Sequence, residues 1–253
     1  MIEIDSQLES PLESIEPAAT QSARAVPRRE RESRLGALTD AGHREMQHAL
    51  WQRAVKRSAD IAIVVVTAPL VLVLIAVASA LIIVVDRRRP FYVDLRVGRG
   101  GRRFGCYKLC TMRGDEQAFN SFLAAHPDEM QRWVEERKVD HDPRVSRLGA
   151  MLRHSSMDEL PQALNVLVGN MSLVGPRPLS EREFLARPEE SQRLLKQVRP
   201  GISGLWQVAG RSDIPLDERI ALDDEYVRDW SLHGDLLIVL KTPVAVLVGA
   251  GAK

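Results

Sequence analysis

The sequence predicts an α/β fold, mostly helical with one small β-hairpin, attached to a membrane. Three observations carry this. Ile61 to Val85 is an apolar run without a charge. Residues 91–112 alternate apolar and polar side chains around Gly98-Arg99-Gly100-Gly101, the pattern of two short strands and a turn. Elsewhere, apolar residues recur at helical spacing between proline and glycine punctuation. The 253 residues have room for one or two domains. Composition divides them into a tail (1–49), a membrane-entry helix (50–90) and a larger body (91–253). With 35 basic and 34 acidic residues, no global field favours nucleic acid. Cys106 and Cys110 lack zinc spacing and read as reduced thiols.

The tail is rich in Glu, Ser, Arg and Pro and poor in large apolar residues, the composition of a disordered segment. No apolar stretch of a secretory signal follows Met1. Pro27 to Arg34 is basic but mixed with acid, which suits a solvated linker. His43 to Val55 can lead as a helix into the membrane, with Trp51 near the headgroups. As a straight helix, Ile61 to Val85 would be roughly 37 Å long, enough to cross a ~30 Å hydrocarbon core. Both flanks are basic, however: Arg53, Lys56 and Arg57 before, Arg87, Arg88 and Arg89 after. Positive flanks favour the cytoplasmic side, and here both ends ask for it. Pro69 inside the run removes a helix hydrogen bond, and a kink is expected. Spanning and re-entrant readings therefore both stand.

The hairpin block carries Arg96, Arg99, Arg102, Arg103 and Lys108. They fit a solvated surface hairpin, or a cationic wall for phosphates. Residues 115–140 are charged and helical in pattern, with Phe119, Phe122, Leu123, Met130 and Trp133 as the expected buried stripe. Asp140-His141-Asp142-Pro143 reads as a turn rather than a metal site. Leu148 to Pro178 holds the chemistry-bearing residues. Ser155-Ser156-Met157-Asp158-Glu159 has the form of a helix start, with Ser156 and Glu159 spaced as a capping box. The same carboxylates also suit a nucleophile beside a metal ligand. Arg144, Arg147 and Arg153 approach them, and nearby cations favour ionised carboxylates. Leu160 to Val168 reads as core. Pro176-Arg177-Pro178 fixes the backbone around one arginine, which could meet a phosphate at little entropic cost.

Val198 to Arg211 is glycine-rich. A loop at the membrane surface, with Trp206 at headgroup depth, and ordinary packing of Trp206 both fit. Asp217 to Trp230 is an acidic, structural helix. Leu232 to Gly249 is apolar but contains Asp235 and Lys241. That favours an amphipathic interfacial helix over a second span.

DELPQALNVLVGNMSLVGPRP, from Asp158 to Pro178, resembles the signature of the bacterial sugar transferases, the monotopic polyprenyl-phosphate phosphoglycosyl transferases. The likeness runs in five ordered blocks from Lys56 to about Gly251. It includes Lys56-Arg57 with Asp60, then Arg96, Gly98, Phe104, Tyr107, Lys108, Thr111 and Met112, the Asp142-Pro143-Arg144 lead-in, and VRPGISGLWQVAGR. The resemblance implies that Asp158 and Glu159 are catalytic. Asp158 would attack the β-phosphorus of a UDP-sugar, UMP would leave, and undecaprenyl phosphate would take the phosphosugar from Asp158. It implies Mg²⁺ at Glu159 and Asp158, and substrate-side cations at Arg96, Lys108, Arg153, Arg177, Arg199 and Arg211. It also shifts the apolar run toward re-entry, and places the body on the cytoplasmic face of a bacterial inner membrane, against membrane lipid. A homo-oligomer is left open; a nucleic-acid partner is not expected.

The chain departs from the family pattern. Ala68 precedes Pro69 where a Ser-Pro pair is usual, about a turn later; Val93-Asp94 replaces Arg-Gln; Cys110 replaces a basic residue; Asn170 replaces Asp. These departures motivate a second reading: a catalytically degenerate membrane protein serving as a non-enzymatic subunit of a polysaccharide assembly complex. A membrane-anchored DNA-binding regulator has no supporting motif.

Overall fold

The computed structural model describes residues 28–112, 116–136, 139, 142–210 and 214–248. Of the expected tail, residues 1–27 lie outside them, as do Asp140, His141 and Arg211. The first helix, α1, spans Arg28–Leu81. Pro69 lies inside it. Helical regularity changes later, in a π-turn over Ile82–Asp86 that Arg87 ends in the left-handed region at φ 52°.

One face of this helix is committed to the body of the protein. Lys56, Asp60, Val64, Ile75, Ala78 and Ile82 fall within a quarter-turn or so of one another on a 3.6-residue helix. Val64 packs with Phe104, Cys106, Val166 and Met171. Ala78 and Ile82 pack with Leu109 and Leu152, beside Ile75. The other faces carry Val65, Val66, Leu70, Leu72, Val73, Val77, Ile83, Val84 and Val85, all exposed. Leu50–Asp86 is long and apolar enough to cross a membrane.

The hairpin forms as expected. Strand β1 (Phe91–Val97) pairs antiparallel with β2 (Arg103–Leu109). The turn needs its glycines, since Gly100 and Gly101 hold φ of 71° and 74°. Alternation then sends Phe104 and Cys106 inward and leaves Phe91, Val93 and Leu95 exposed on the opposite face. The free edge of β2 is closed by one side chain. Asn165 Nδ2 donates to Gly105 O at 2.7 Å, and its Oδ1 accepts from the Tyr107 N–H at 2.9 Å.

Helices α2 (Glu116–Ala125) and α3 (Pro127–Glu136) follow. Phe119 and Leu123 are buried as predicted, but Met130 is exposed. Phe119 stacks edge-on against Trp133 and carries the Arg144 guanidinium 3.5 Å from its centroid. Next come α4 (Arg147–His154), α5 (Gln162–Val168) and the three-residue strand β3 (Ser172–Val174). Beyond these are α6 (Glu181–Leu185), α7 (Glu189–Leu195), β4 (Gly201–Ser203), α8 (Leu205–Ala209), α9 (Leu216–Arg228) and α10 (Leu232–Val248).

Helix α5 inverts the expected core reading. Its polar Gln162 and Asn165 are buried with Val166, while Leu164, Leu167 and Val168 are exposed. For Asn165 the reason is the hairpin edge, which needs an amide rather than a leucine. The pairing of β3 with β4 is parallel, Ser172 opposite Gly201 and Val174 opposite Ser203. Sequence reading assigned no strand to either segment. Such short strands leave no periodicity to detect.

A polar network fastens these parts. Lys56 Nζ donates to Asp235 Oδ2 at 2.6 Å and to Val174 O at 3.0 Å. Tyr226 Oη donates to Asp235 Oδ1 at 2.8 Å, and Trp230 Nε1 to Asp235 Oδ2 at 3.0 Å. Asp235 is therefore an inward group of α10, whose Leu236, Leu237, Leu240 and Val244 are exposed. Asp60 accepts from Ser172 Oγ at 2.7 Å and from the Leu173 N–H at 3.2 Å.

Asp235→Ala should lower stability by about 3 kcal/mol, because it strands the Lys56 ammonium. Glu189→Ala, at the exposed Arg193 pair, should change stability by less than about 0.5 kcal/mol. Thermal unfolding of both variants in detergent checks the contrast.

Candidate active site

The site begins where α4 ends. Ser146 caps that helix by accepting from the Gly149 N–H at 2.8 Å, and donates to Asp86 Oδ2 at 2.7 Å. Gly149 lets the helix lie on the strand end, since a Cβ there would fall 2.2 Å from Thr111 O. This contact brings Arg153 Nε to Thr111 Oγ1 at 2.9 Å. The chain then turns through Ser156 at φ 55°, a left-handed conformation costly for serine. Met157–Glu159 forms one 3₁₀ turn that feeds Pro161 and α5. Ser156 makes no capping hydrogen bond, so the capping-box reading fails here. A capping box does form elsewhere, between Ser180 and Glu183.

Freed from capping, the two carboxylates face a ring of cations. Arg177 Nη1 lies 3.3 Å from Glu159 Oε1, and Lys108 Nζ 3.9 Å from the same atom. Burial, with Glu159 beside it, pushes Asp158 up to about 6; Lys108, Arg153 and Arg177 pull the other way and do not prevail. The cations expected to favour the ionised form are outweighed by desolvation at Asp158, which still ionises above about 6. Arg177 is held charged chiefly by Glu159, against its own burial.

Of the other expected cations, Lys108 and Arg153 reach this cluster. Arg144 does not, being folded onto Asp142, with Nη2 2.6 Å from Oδ2. Arg96 pairs with Asp94 and with Glu183 at 3.1 Å, and donates to Pro178 O at 3.1 Å. It therefore supports the Pro176-Arg177-Pro178 turn. Arg199 Nε donates to Gly169 O at 2.7 Å, and Arg57 donates to Val166 O and Leu167 O. Together they satisfy the carbonyl end of α5. Arg211 lies outside the described residues.

The Arg177 turn depends on a close crossing. A Cβ on Gly175 would fall 2.6 Å from Arg199 O, and one on Gly201 2.1 Å from Gly175 N. Trp206 is packed, as the second of its two readings expected. It is 7% exposed, with Arg177 6.0 Å and Arg219 5.4 Å from its ring centroid. Sequence reading passed over Asp223, Arg187 and Asn165. Asp223 and Arg187 form a buried ion pair at 2.6 Å. No sequence spacing links residues 36 positions apart.

Among the described residues no group of three or more His, Cys, Asp or Glu gathers as a metal cage. Asp158 and Glu159 supply two hard oxygen donors beside cations suited to phosphate. That fits an ion such as Mg²⁺, which takes one or two carboxylates and completes its shell with water and substrate phosphate.

Comparison with known proteins decides the family. The bacterial sugar transferase profile matches residues 51–249. The chain belongs to the bacterial sugar transferase family. It is 42% identical over 199 residues to the exopolysaccharide production protein ExoY of Rhizobium meliloti (strain 1021), covering 78% of this chain and 87% of that protein. It is 42% identical over 168 residues to the UDP-galactose-lipid carrier transferase of Erwinia amylovora, covering 66% of this chain and 35% of that one. The undecaprenyl-phosphate galactose phosphotransferase of Salmonella typhimurium (strain LT2) gives 40% over 168 residues, with the same two coverages. This sugar transferase thus spans about a third of those two longer relatives and most of ExoY.

A carboxyl raised to about 6 destabilises the fold above that pH and ceases to do so below its unfolded value of about 3.9. Asp158→Asn should therefore raise thermal stability at pH 8, by at most about 3 kcal/mol. The gain should shrink as pH falls through 6 and vanish near 4. Unfolding curves across that range measure it.

Proposed function

We propose that this sugar transferase moves a sugar-1-phosphate from a UDP-sugar to a polyprenyl phosphate, undecaprenyl phosphate in a bacterium. The observation that carries the reading is Asp158 itself: a half-buried carboxyl in a tight turn, beside Glu159 and within the field of Lys108, Arg153 and Arg177. Such surroundings suit a nucleophile that must meet an anionic substrate. The cations offset the repulsion, and exclusion of water strengthens each contact. The names of the Erwinia and Salmonella relatives point to the same chemistry.

In this reading an Asp158 oxygen attacks the β-phosphorus of the donor. The bond from that phosphorus to the bridging oxygen breaks, and UMP departs with the electron pair. A phosphosugar remains on Asp158. An oxygen of polyprenyl phosphate then attacks the same phosphorus, and the Asp158 carboxylate is released. Arg177, Lys108 and Arg153 hold the phosphate oxygens in line for both displacements. Asp158 and Glu159 would hold Mg²⁺, which neutralises phosphate charge when bound.

The acceptor is a lipid, and the apolar helix bears on how it arrives. Val64 and Ile82, at opposite ends of the run, both pack against the same hairpin strand. A helix spanning the bilayer would carry one end away from the body. Contacts at both ends support a helix that enters and leaves on one side, the cytoplasmic face. Lys56 and Arg57 are engaged within the body, so they count as anchors more than as topology signals. The membrane-entry helix (50–90) and the catalytic body (91–253) then act as one unit.

Purified protein with Mg²⁺, undecaprenyl phosphate and a panel of UDP-sugars including UDP-galactose should release UMP with one donor. Asp158→Asn should lower that rate more than about a thousandfold. Glu159→Gln should raise the Mg²⁺ needed at least about tenfold. No UMP from folded wild type with any donor would favour the non-catalytic subunit.

The profile of kcat/KM against pH should fall away on the acid side with a midpoint near 6, where Asp158 gains its proton. A midpoint near 4 would mean the attacking carboxylate is not this one.

A further inference from the structure

The end of α5 gathers arginines from three parts of the chain. Gly169 closes the helix in the left-handed region at φ 88°. Its carbonyl accepts from Arg199 Nε at 2.7 Å, and Arg57 Nη2 stands 3.6 Å from where a Cβ on Gly169 would be. Arg57 also donates to Val166 O at 2.6 Å and to Leu167 O at 3.0 Å. The hairpin tip is fastened to the same corner. There the Gly100 N–H donates to Lys196 O at 2.8 Å, three residues before Arg199. Arg99 sits in that tip and is exposed. Burial, and then the charges of Arg57 and Arg99, hold the Arg199 guanidinium below its ordinary pKa.

Cations held this close repel one another, and the helix carbonyls offset only part of that. Among the described residues no carboxylate forms an ion pair with Arg57, Arg99 or Arg199. Asp60, whose charge is felt at Arg199, is committed to Ser172 and the Leu173 N–H. Among the same residues, the Nη groups of Arg199 and the Arg99 side chain make no hydrogen bond. They remain as donors for an anion, and guanidinium groups match phosphate well.

Position decides what carries that phosphate. Arg57 lies four residues, about 6 Å of helix, before Ile61, where the apolar run begins. In a membrane that is headgroup depth. Leu164, Leu167 and Val168 of α5 are exposed and offer an apolar flank. We propose that Arg57, Arg99 and Arg199 form a binding site for the phosphate of an anionic phospholipid headgroup. Asp158 and Glu159 precede the N-terminus of α5, whereas this corner lies at its C-terminus. The site is therefore separate from the reacting phosphates and does not rest on the transferase reading. A lipid held there ties the hairpin tip, α5 and the base of the apolar helix to the membrane surface.

The experiment counts, by native mass spectrometry, the lipid that stays on full-length protein released from nanodiscs of phosphatidylcholine mixed with phosphatidylglycerol. Wild type should retain phosphatidylglycerol in preference. Arg99→Gln should cut that preference about fivefold, and Arg99→Gln with Arg199→Gln about 25-fold. If the double variant does not fold, Arg99→Gln decides, because that side chain supports nothing else. As a control, Arg193→Gln with Arg228→Gln removes two exposed arginines of α7 and α9 and should leave the preference intact. An equal loss in the control would mean that only net charge is being read, and would overturn the site. An unchanged preference in Arg99→Gln would overturn it as well. A third arm places undecaprenyl phosphate in phosphatidylcholine discs. Retention of that lipid through Arg99 and Arg199, with no preference for phosphatidylglycerol, would make the corner a dock for the acceptor and overturn the phospholipid assignment. Lipid retention is read without turnover, so a wild type that releases no UMP sinks the transferase reading alone.

Discussion

One ammonium group holds the architecture together. Lys56 Nζ meets Val174 O and Asp235, and lies 3.4 Å from Tyr226 Oη. In one contact set it ties the apolar helix to β3, α9 and α10. Strand β3 runs directly into Gly175 and the Arg177 turn, so the site's placement is inherited from this anchor. Burial raises the Tyr226 hydroxyl, with Asp235 adding to the effect. The phenol therefore stays neutral and acts as a donor. Tyr226 and Trp230 occupy the remaining lone pairs of Asp235, which makes the buried charge tolerable.

The second constraint is the balance at Asp158. Three cations surround it, yet burial and the neighbouring Glu159 prevail. A carboxyl poised near 6 is ionised at neutral pH but poorly solvated, a state suited to attack on phosphorus. Arg177 is drawn instead to Glu159. The two adjacent carboxylates thus differ in their surroundings: Asp158 holds its proton to about 6, while Glu159 pairs with Arg177. The left-handed Ser156, two residues before Asp158, delivers this arrangement at some cost in backbone strain.

Much of the fold was legible in the sequence. The charge-free run and the glycine turn rest on periodicity and composition, which are local. The resemblance to the sugar transferases located Asp158, Glu159 and Arg177 together. What sequence did not give is what depends on distant partners. Arg96 reads as a phosphate ligand from its place in the basic hairpin, and Arg199 from the resemblance. The structure occupies them with Glu183, Pro178 O and Gly169 O. Asn165 sat within an apparent core segment, and only the strand edge explains its burial. Asp223 was one acid among many in an acidic helix, with nothing local to mark it as buried.

The inverted face of α5 has a practical consequence for anyone wishing to handle this enzyme. Leu164, Leu167 and Val168 point outward while the helix's amides point in. Deleting the apolar helix would not yield a water-soluble fragment, because a second greasy surface would remain. It would also strip away Asp60 and Val64, which pair with Ser172 and fill the space beside Cys106. The anchor is thus a wall of the globule, and solubilisation has to come from amphiphiles that mimic the bilayer rather than from truncation.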